Sequence, residues 1–167
     1  INCDDAGTAY DAFCLANYGT DRYGFPYPVY FINYAVGQNA LYAYLLAPLI
    51  KLFGTDVTVY RLPAVFGGML ALIFGMLIMK ETHGKKTSLL AGFLIAICPF
   101  FIMSSRRGLE VLILLGISTC AIYVLDRAIK TTKKRFFILS GVLFGLCLYC
   151  YSLAWIFIPC FLLLTLI

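Results

Sequence analysis

Charge is what this sequence has least of. Asp, Glu, Lys and Arg together make up 13% of its 167 residues, against 62% hydrophobic. That balance lies outside the range of ordinary soluble domains. The scarcity is uneven as well. No charged residue falls between Leu62 and Met79 (18 residues), Thr87 and Met103 (17), Val111 and Leu125 (15), or Phe136 and Ile167 (32). A bilayer crossing takes about 20 mainly apolar residues at 1.5 Å each. The first two runs each fit one span, and the third does so with Leu109 and Glu110 or Asp126 at the interface. The fourth, roughly 48 Å as one helix, exceeds a single span. It reads as two spans joined by a turn. These gaps imply an all-α, polytopic transmembrane helix bundle.

Other scarcities narrow the chemistry. There is one His, and no His-rich or Cys-rich ligand set to hold a transition metal. Five of the seven Cys (Cys98, Cys120, Cys147, Cys150 and Cys160) fall in expected spans, where Cys acts as a small hydrophobe. Cys147 and Cys150 form a C-x-x-C, but an apolar helix with no nearby His is a poor redox or zinc site. Cys3 and Cys14 lie on the outer side and could pair or stay free. No internal repeat or low-complexity segment is present. The chain also lacks an initiating Met and a signal peptide. It therefore reads as a fragment, with an earlier span expected ahead of residue 1.

The few charges that are present carry the topology. Lys80, Lys85 and Lys86 flank one short loop, and Arg127, Lys130, Lys133, Lys134 and Arg135 fill another. By the positive-inside rule both loops face the cytoplasm. The segment up to Arg61 holds five Asp and lies on the other side, with the Ser104–Glu110 loop. Residues 1–58 then form a non-cytoplasmic loop with two interfacial helices, and residues 59–167 a bundle of about five spans, the last one truncated. The basic residues are loop charges beside a lipid bilayer rather than a nucleic-acid surface.

Within the outer segment, Ala6, Ala9, Tyr10, Phe13, Cys14 and Asn17 recur at helical spacing with Thr8 and Asp11 opposite. This predicts a short helix lying on the membrane and ended by Gly19. Asp4 or Asp5 could cap it, or either could serve as a base. Gly24-Phe25-Pro26-Tyr27-Pro28 and Val29–Tyr34 predict an extended loop. Nine of the twelve Tyr precede residue 61, as an aromatic belt or a sugar-stacking surface. Ala40–Phe53 is too short to cross and reads as a second interfacial helix. Gly67, Gly68 and Gly75 in the first span, and Gly141 and Gly145 in the fourth, offer close helix contact.

This topology places Asp4, Asp5, Arg106, Arg107 and Glu110 on one side. Ionisable groups beside apolar spans commonly mark functional sites. A guanidinium gives a phosphate two parallel hydrogen bonds, and a carboxylate can take a proton from a hydroxyl. Together they suit transfer of a group from a lipid-anchored phosphate to a hydroxyl. The bland alternative is that Arg106 pairs with Glu110, four residues on, or with lipid headgroups. Asp4, Asp5 and Glu110 could also gather a hard divalent cation; no cofactor is required by the pattern.

Read in order, Asp4-Asp5-Ala6 with Tyr10-Asp11-Ala12, Lys51-Leu52-Phe53-Gly54, Arg61-Leu62-Pro63-Ala64, Ser105-Arg106 through Glu110, and Tyr151–Pro159 resemble a known family. It is the polyprenyl-phosphate-sugar-dependent glycosyltransferases: the protein O-mannosyltransferase and lipid A aminoarabinose transferase relatives, glycosyltransferase family 39 of the GT-C superfamily. The resemblance covers essentially the whole chain. It implies a GT-C-like fold and an inverting enzyme that moves a sugar from a polyprenyl-phosphate donor to a hydroxyl acceptor at the outer face of the plasma membrane. It assigns the base to Asp4 with Asp5 beside it. It assigns the donor phosphate and substrate to Arg106, Arg107, Glu110, Gln38 and Arg61. Asp5 stands where the family has Glu, and Arg107 is an addition. Gly37-Gln38-Asn39 replaces the Glu-Lys-Pro-Pro element of the aminoarabinose branch. The family's C-terminal half is absent from this sequence. The competing class is a non-enzymatic transporter or assembly subunit for lipid-linked sugars. Against it, the ionisable residues sit at span ends rather than mid-span.

Overall fold

A computed structural model describes residues 3–33, 36–108 and 110–166, with side chains for 5–32, 37–108 and 110–165. Helix α1 (Cys3–Tyr18) comes first, followed by a hairpin of β1 (Tyr30–Asn33) and β2 (Val36–Asn39). Then come α2 (Leu41–Phe53), α3 (Val57–His83), α4 (Lys85–Ile97), α5 (Pro99–Arg107), α6 (Glu110–Thr131), α7 (Lys134–Leu148) and α8 (Ala154–Leu166). It is an all-α membrane fold carrying one small antiparallel ribbon, in the register Tyr30↔Asn39, Phe31↔Gln38, Ile32↔Gly37. Within the β-branched and aromatic run expected to be an extended loop, Tyr30–Asn33 pairs with Val36–Asn39.

Among the described residues two helices are long and apolar enough to cross a membrane, α3 at 27 residues and α6 at 22. At 1.5 Å per residue they reach roughly 40 and 33 Å. A third candidate is the pair α4 and α5, bent by 53°. The sequence predicts one straight span over Thr87–Met103, and Pro99 is what breaks it. Proline has no N–H to continue the ladder and pushes the residue before it out of the helical region. Cys98 accordingly sits at φ −63°, ψ 122°, and Pro99 opens α5. The segments expected as spans four and five are α7 and α8, at 15 and 13 residues.

The centre of the bundle is the α3–α6 crossing. Glycine makes it possible. A Cβ added to Gly67 would stand 2.6 Å from Leu112 O and 2.8 Å from Ile113 Cα, and one on Gly116 would overlap the Gly67 carbonyl. Helix α4 packs on α3 through Gly92 against Met76 and through the Ser88 hydroxyl, which donates to Met76 O at 2.7 Å. On the far side of α6, the Ser140 hydroxyl of α7 donates to Ala121 O. Gly68 and Gly75 make only ordinary contacts, and Gly141 and Gly145 meet nothing within 4 Å. The packing face expected on α7 is open in this chain.

The two basic loops meet at one end. Glu81 near the end of α3 binds Arg127 and Lys130 near the end of α6, each at 3.0 Å, and accepts from the Tyr123 hydroxyl. At the opposite end lie α1, the hairpin, the α5–α6 corner and the α7–α8 turn. Asn39, its amide oxygen turned toward that turn, accepts from Ser152 N at 2.8 Å and Tyr151 N at 3.1 Å. Leu41 N donates to Tyr149 O. The split of charges that suggested two sides of a membrane is therefore a split between two ends of the fold.

Candidate active site

Helix α1 turns the reverse of the face expected from its sequence. Tyr10 and Asn17 point outward, while Asp5, Thr8 and Asp11 are only 5%, 3% and 1% exposed. The polar stripe faces protein, and part of the apolar stripe faces out. That arrangement suits a chain surrounded by lipid, where carboxylates are costly unless protein groups receive them.

Each buried polar group of α1 has a reason to be there. Asp11 takes the Arg22 guanidinium side-on, at 2.8 and 2.6 Å, and also accepts the Arg22 backbone N–H. Asp21 then folds the next turn by accepting from the N–H groups of Tyr23 and Phe25. The first pair shows why Asp11 belongs to the scaffold. Thr8 accepts from the Gln38 amide. The same amide nitrogen donates to Glu110 Oε1 at 2.7 Å. Gln38 stands near the end of β2, and Glu110 opens α6. One side chain thus ties three elements that are far apart in sequence.

Beneath this link lies Tyr42 of α2, 1% exposed, its hydroxyl donating to Tyr60 O at 2.6 Å. Burial, the neighbouring Tyr60 and the charge of Asp5 and Glu110 hold its phenol far above the ordinary tyrosine range. Tyr42 therefore remains a neutral donor, and Asp5 and Glu110 both lie within electrostatic reach of it. The α5–α6 corner rests on the same two rings. Gly108 adopts φ +72°, and a Cβ there would press on the Tyr60 ring at 2.6 Å and the Tyr42 hydroxyl at 3.1 Å. Only glycine fits both the conformation and the space.

Asp5 also lines a small pocket of about 140 Å³ with Asp56, Tyr60 and the apolar wall of Leu46 and Ile50. Arg106 and Arg107 are exposed on the last turn of α5, one and two residues before Gly108. Neither has a hydrogen-bond or ion-pair partner among the described residues, and Glu110 binds Gln38 rather than Arg106. Arg61, in the first turns of α3, keeps its Nε buried with no hydrogen-bond acceptor among the described residues. Directly after it in sequence, Leu62, Pro63, Val65, Phe66, Met69 and Leu70 join residues of α2 and α6 in an apolar groove of about 560 Å³.

Asp4 lies in the first turn of α1 beside Asp5, but its side chain is outside the described residues, as is that of Cys3. Cys3 and Cys14 occupy one helix, roughly 16 Å apart along its axis. A disulfide needs Cα atoms within about 7 Å, so this pairing does not occur within α1. Among the described residues no three His, Cys, Asp or Glu side chains are grouped to hold a metal ion.

Of the residues picked out from sequence, Gln38 and Glu110 come together, Asp5 lines the pocket beside Tyr60, and Arg106 and Arg107 are exposed on the adjoining corner. Thr8, Tyr42 and Tyr60 were not singled out. The signal for Thr8 was present, since Asp5, Thr8, Asp11 and Ala12 recur at steps of three and four. A greasy helix gives no comparable signal for Tyr42.

A model of the family described as dolichyl-phosphate-mannose-protein mannosyltransferase matches residues 38–167 of this chain. The match takes in Gln38, Arg61, Arg106, Arg107 and Glu110 and begins after the α1 carboxylates. No curated protein and no solved structure matches the chain.

Proposed function

The chain belongs to the dolichyl-phosphate-mannose-protein mannosyltransferase family, a group of membrane glycosyltransferases, and from that premise we propose that it carries the catalytic end of an inverting enzyme. That enzyme moves a sugar from a polyprenyl phosphate to a hydroxyl acceptor. The observation that supports this reading is the hydrogen bond from Gln38 to Glu110, with Asp5 and Glu110 both within electrostatic reach of Tyr42. These residues lie at the end of the bundle opposite the basic loops, beside the exposed Arg106 and Arg107. In this reading residues 1–58 cap the non-cytoplasmic face of the plasma membrane and residues 59–167 form the bundle.

The reaction is a single displacement. Asp4 takes the proton of the acceptor hydroxyl as its oxygen bonds to the anomeric carbon, and the bond from that carbon to the donor phosphate breaks on the opposite face. Attack from behind inverts the centre. The leaving group is a polyprenyl phosphate whose added negative charge must be offset. Arg106 and Arg107 supply fixed positive charge with paired N–H groups suited to phosphate. Arg61 brings a buried donor in need of an acceptor, next to an apolar groove that suits a polyisoprenoid tail. Asp5 lies next to Asp4 with its carboxyl already desolvated, and it shapes the pocket that receives the acceptor.

The test uses the full-length protein in membranes with a radiolabelled polyprenyl-phosphate sugar. Asp4→Asn should lower transfer by about 10²- to 10⁴-fold, the usual contribution of a general base. Undiminished transfer would remove Asp4 from the role. Failure of the wild type to consume any such donor would instead favour a transporter or assembly subunit. Repeating the wild-type assay with and without a chelator reads dependence on a divalent cation.

A further inference from the structure

We propose that Gln38 is a positioning residue: it fixes the orientation of Glu110 relative to α1 and acts on the reaction only through that carboxylate. The inference rests on the glycosyltransferase reading above and adds a role to it. A primary amide nitrogen has two hydrogens, and the Gln38 nitrogen has two acceptors within reach, the Thr8 hydroxyl and Glu110 Oε1. Turning the amide toward any third group would leave one of these half-buried oxygens without its donor, which is unfavourable in a site this dry.

The side chain is held from behind as well. Gln38 pairs in the ribbon with Phe31, which is fully buried. The next residue, Asn39, is bound to the α7–α8 turn by two backbone N–H groups. Leu41 continues that attachment through its N–H to Tyr149 O. So the backbone that carries Gln38 is tied to one part of the bundle while its amide reaches two others. Glu110 begins α6, with no preceding turn of its own helix to steady it, and Gln38 provides the contact that α6 lacks. A neutral donor suits this task. A Lys in its place would neutralise Glu110, and a Glu would repel it.

The experiment is a double-mutant cycle in the full-length enzyme, using Gln38→Ala and Glu110→Asp. The Asp retains the carboxylate but is one methylene too short to keep the Gln38 bond. Each single change should lower kcat about tenfold, as expected when a charged group beside the reacting centre is displaced, with donor KM altered less than twofold. The double variant should be no worse than either single one. Gln38→Met, close in size and uncharged but without the amide, should show the same loss of kcat with a melting temperature close to that of the wild type, which separates positioning from folding. Multiplying losses in the double variant would overturn the proposal, as would a raised donor KM at constant kcat, which marks a direct substrate ligand. If the wild type transfers no sugar, the parent reading falls and this one falls with it. If the wild type transfers and Gln38→Ala is silent, only this one does.

Discussion

Two glycines that look equivalent in sequence behave as opposites. Gly67 and Gly141 both sit in apolar helices, four or fewer residues from another small residue. Gly67 has the α6 backbone at 2.6–2.8 Å from where a Cβ would be, whereas Gly141 has nothing within 4 Å. Backbone cannot rotate away, so Gly67→Ala must push α3 and α6 apart. Overpacking of this kind costs about 1–3 kcal/mol. Gly141→Ala meets no neighbour and gains up to about 1 kcal/mol of helix propensity. Thermal unfolding of the detergent-solubilised protein should therefore show Gly67→Ala melting earlier and Gly141→Ala unchanged or later. Equal shifts would mean the α3–α6 crossing is looser than its geometry indicates. The same reasoning applies to Gly108, where a left-handed φ and the Tyr60 ring act together, so any side chain there disturbs the corner that carries Arg106 and Arg107.

Among the elements, α1 with its following turn shows how a membrane protein spends buried charge on shape. Asp11, 2% exposed at its side chain, grips Arg22 in a two-point ion pair, and that grip holds the Tyr18–Pro28 segment whose Tyr18, Tyr23, Phe25 and Tyr27 face outward. Removing one partner of a buried pair costs about 3–5 kcal/mol, because the other charge is left uncompensated. Asp11→Ala should speed amide exchange across residues 19–28, while exchange in α3 and α6 stays slow. Uniform protection in both regions would show that the pair does not brace the loop. This element also marks what could be read in advance. The presence of helices α1 and α2 and the Gly19 stop followed from local chemistry, because periodicity and glycine act within a few residues. The orientation of α1 did not. Its apolar stripe predicts a buried face only where the surroundings are water, and here the receiving groups, Gln38 and Arg22, come from a ribbon and a turn. Pro99 stands in the sequence but is not read there as a break in the long charge-free run; the break it causes brings Arg106, Arg107 and Gly108 to the corner on Tyr42 and Tyr60. The link from Thr8 through Gln38 to Glu110 spans about a hundred residues, beyond the reach of any local pattern.

At the scale of the whole molecule, the charges are sorted by end. Glu81 collects Arg127 and Lys130, and Lys130 also binds Asp126. Lys80, Lys85, Lys86, Lys133, Lys134 and Arg135 at the same end are exposed and have no ion-pair partner among the described residues. That excess of positive charge is what retains loops in the cytoplasm during insertion. Because Glu81 joins the last turns of α3 and α6 directly, the loops that follow these helices are expected on one side of a bilayer. The hairpin end, a full α3 length away, is then expected on the far side. Single cysteines placed at Lys85, Lys133 and Tyr23 in the full-length protein test this with a membrane-impermeant maleimide, measured over the labelling of the parent. Intact cells should label Tyr23→Cys alone, and permeabilised cells all three. Labelling of Lys85→Cys and Lys133→Cys from outside, with Tyr23→Cys protected, would invert the protein and place the proposed site in the cytoplasm. The two loop positions labelling from different sides would break the Glu81 contact itself. Gln38 and Glu110 meet at the hairpin end, so the labelling pattern fixes which aqueous face supplies the hydroxyl acceptor.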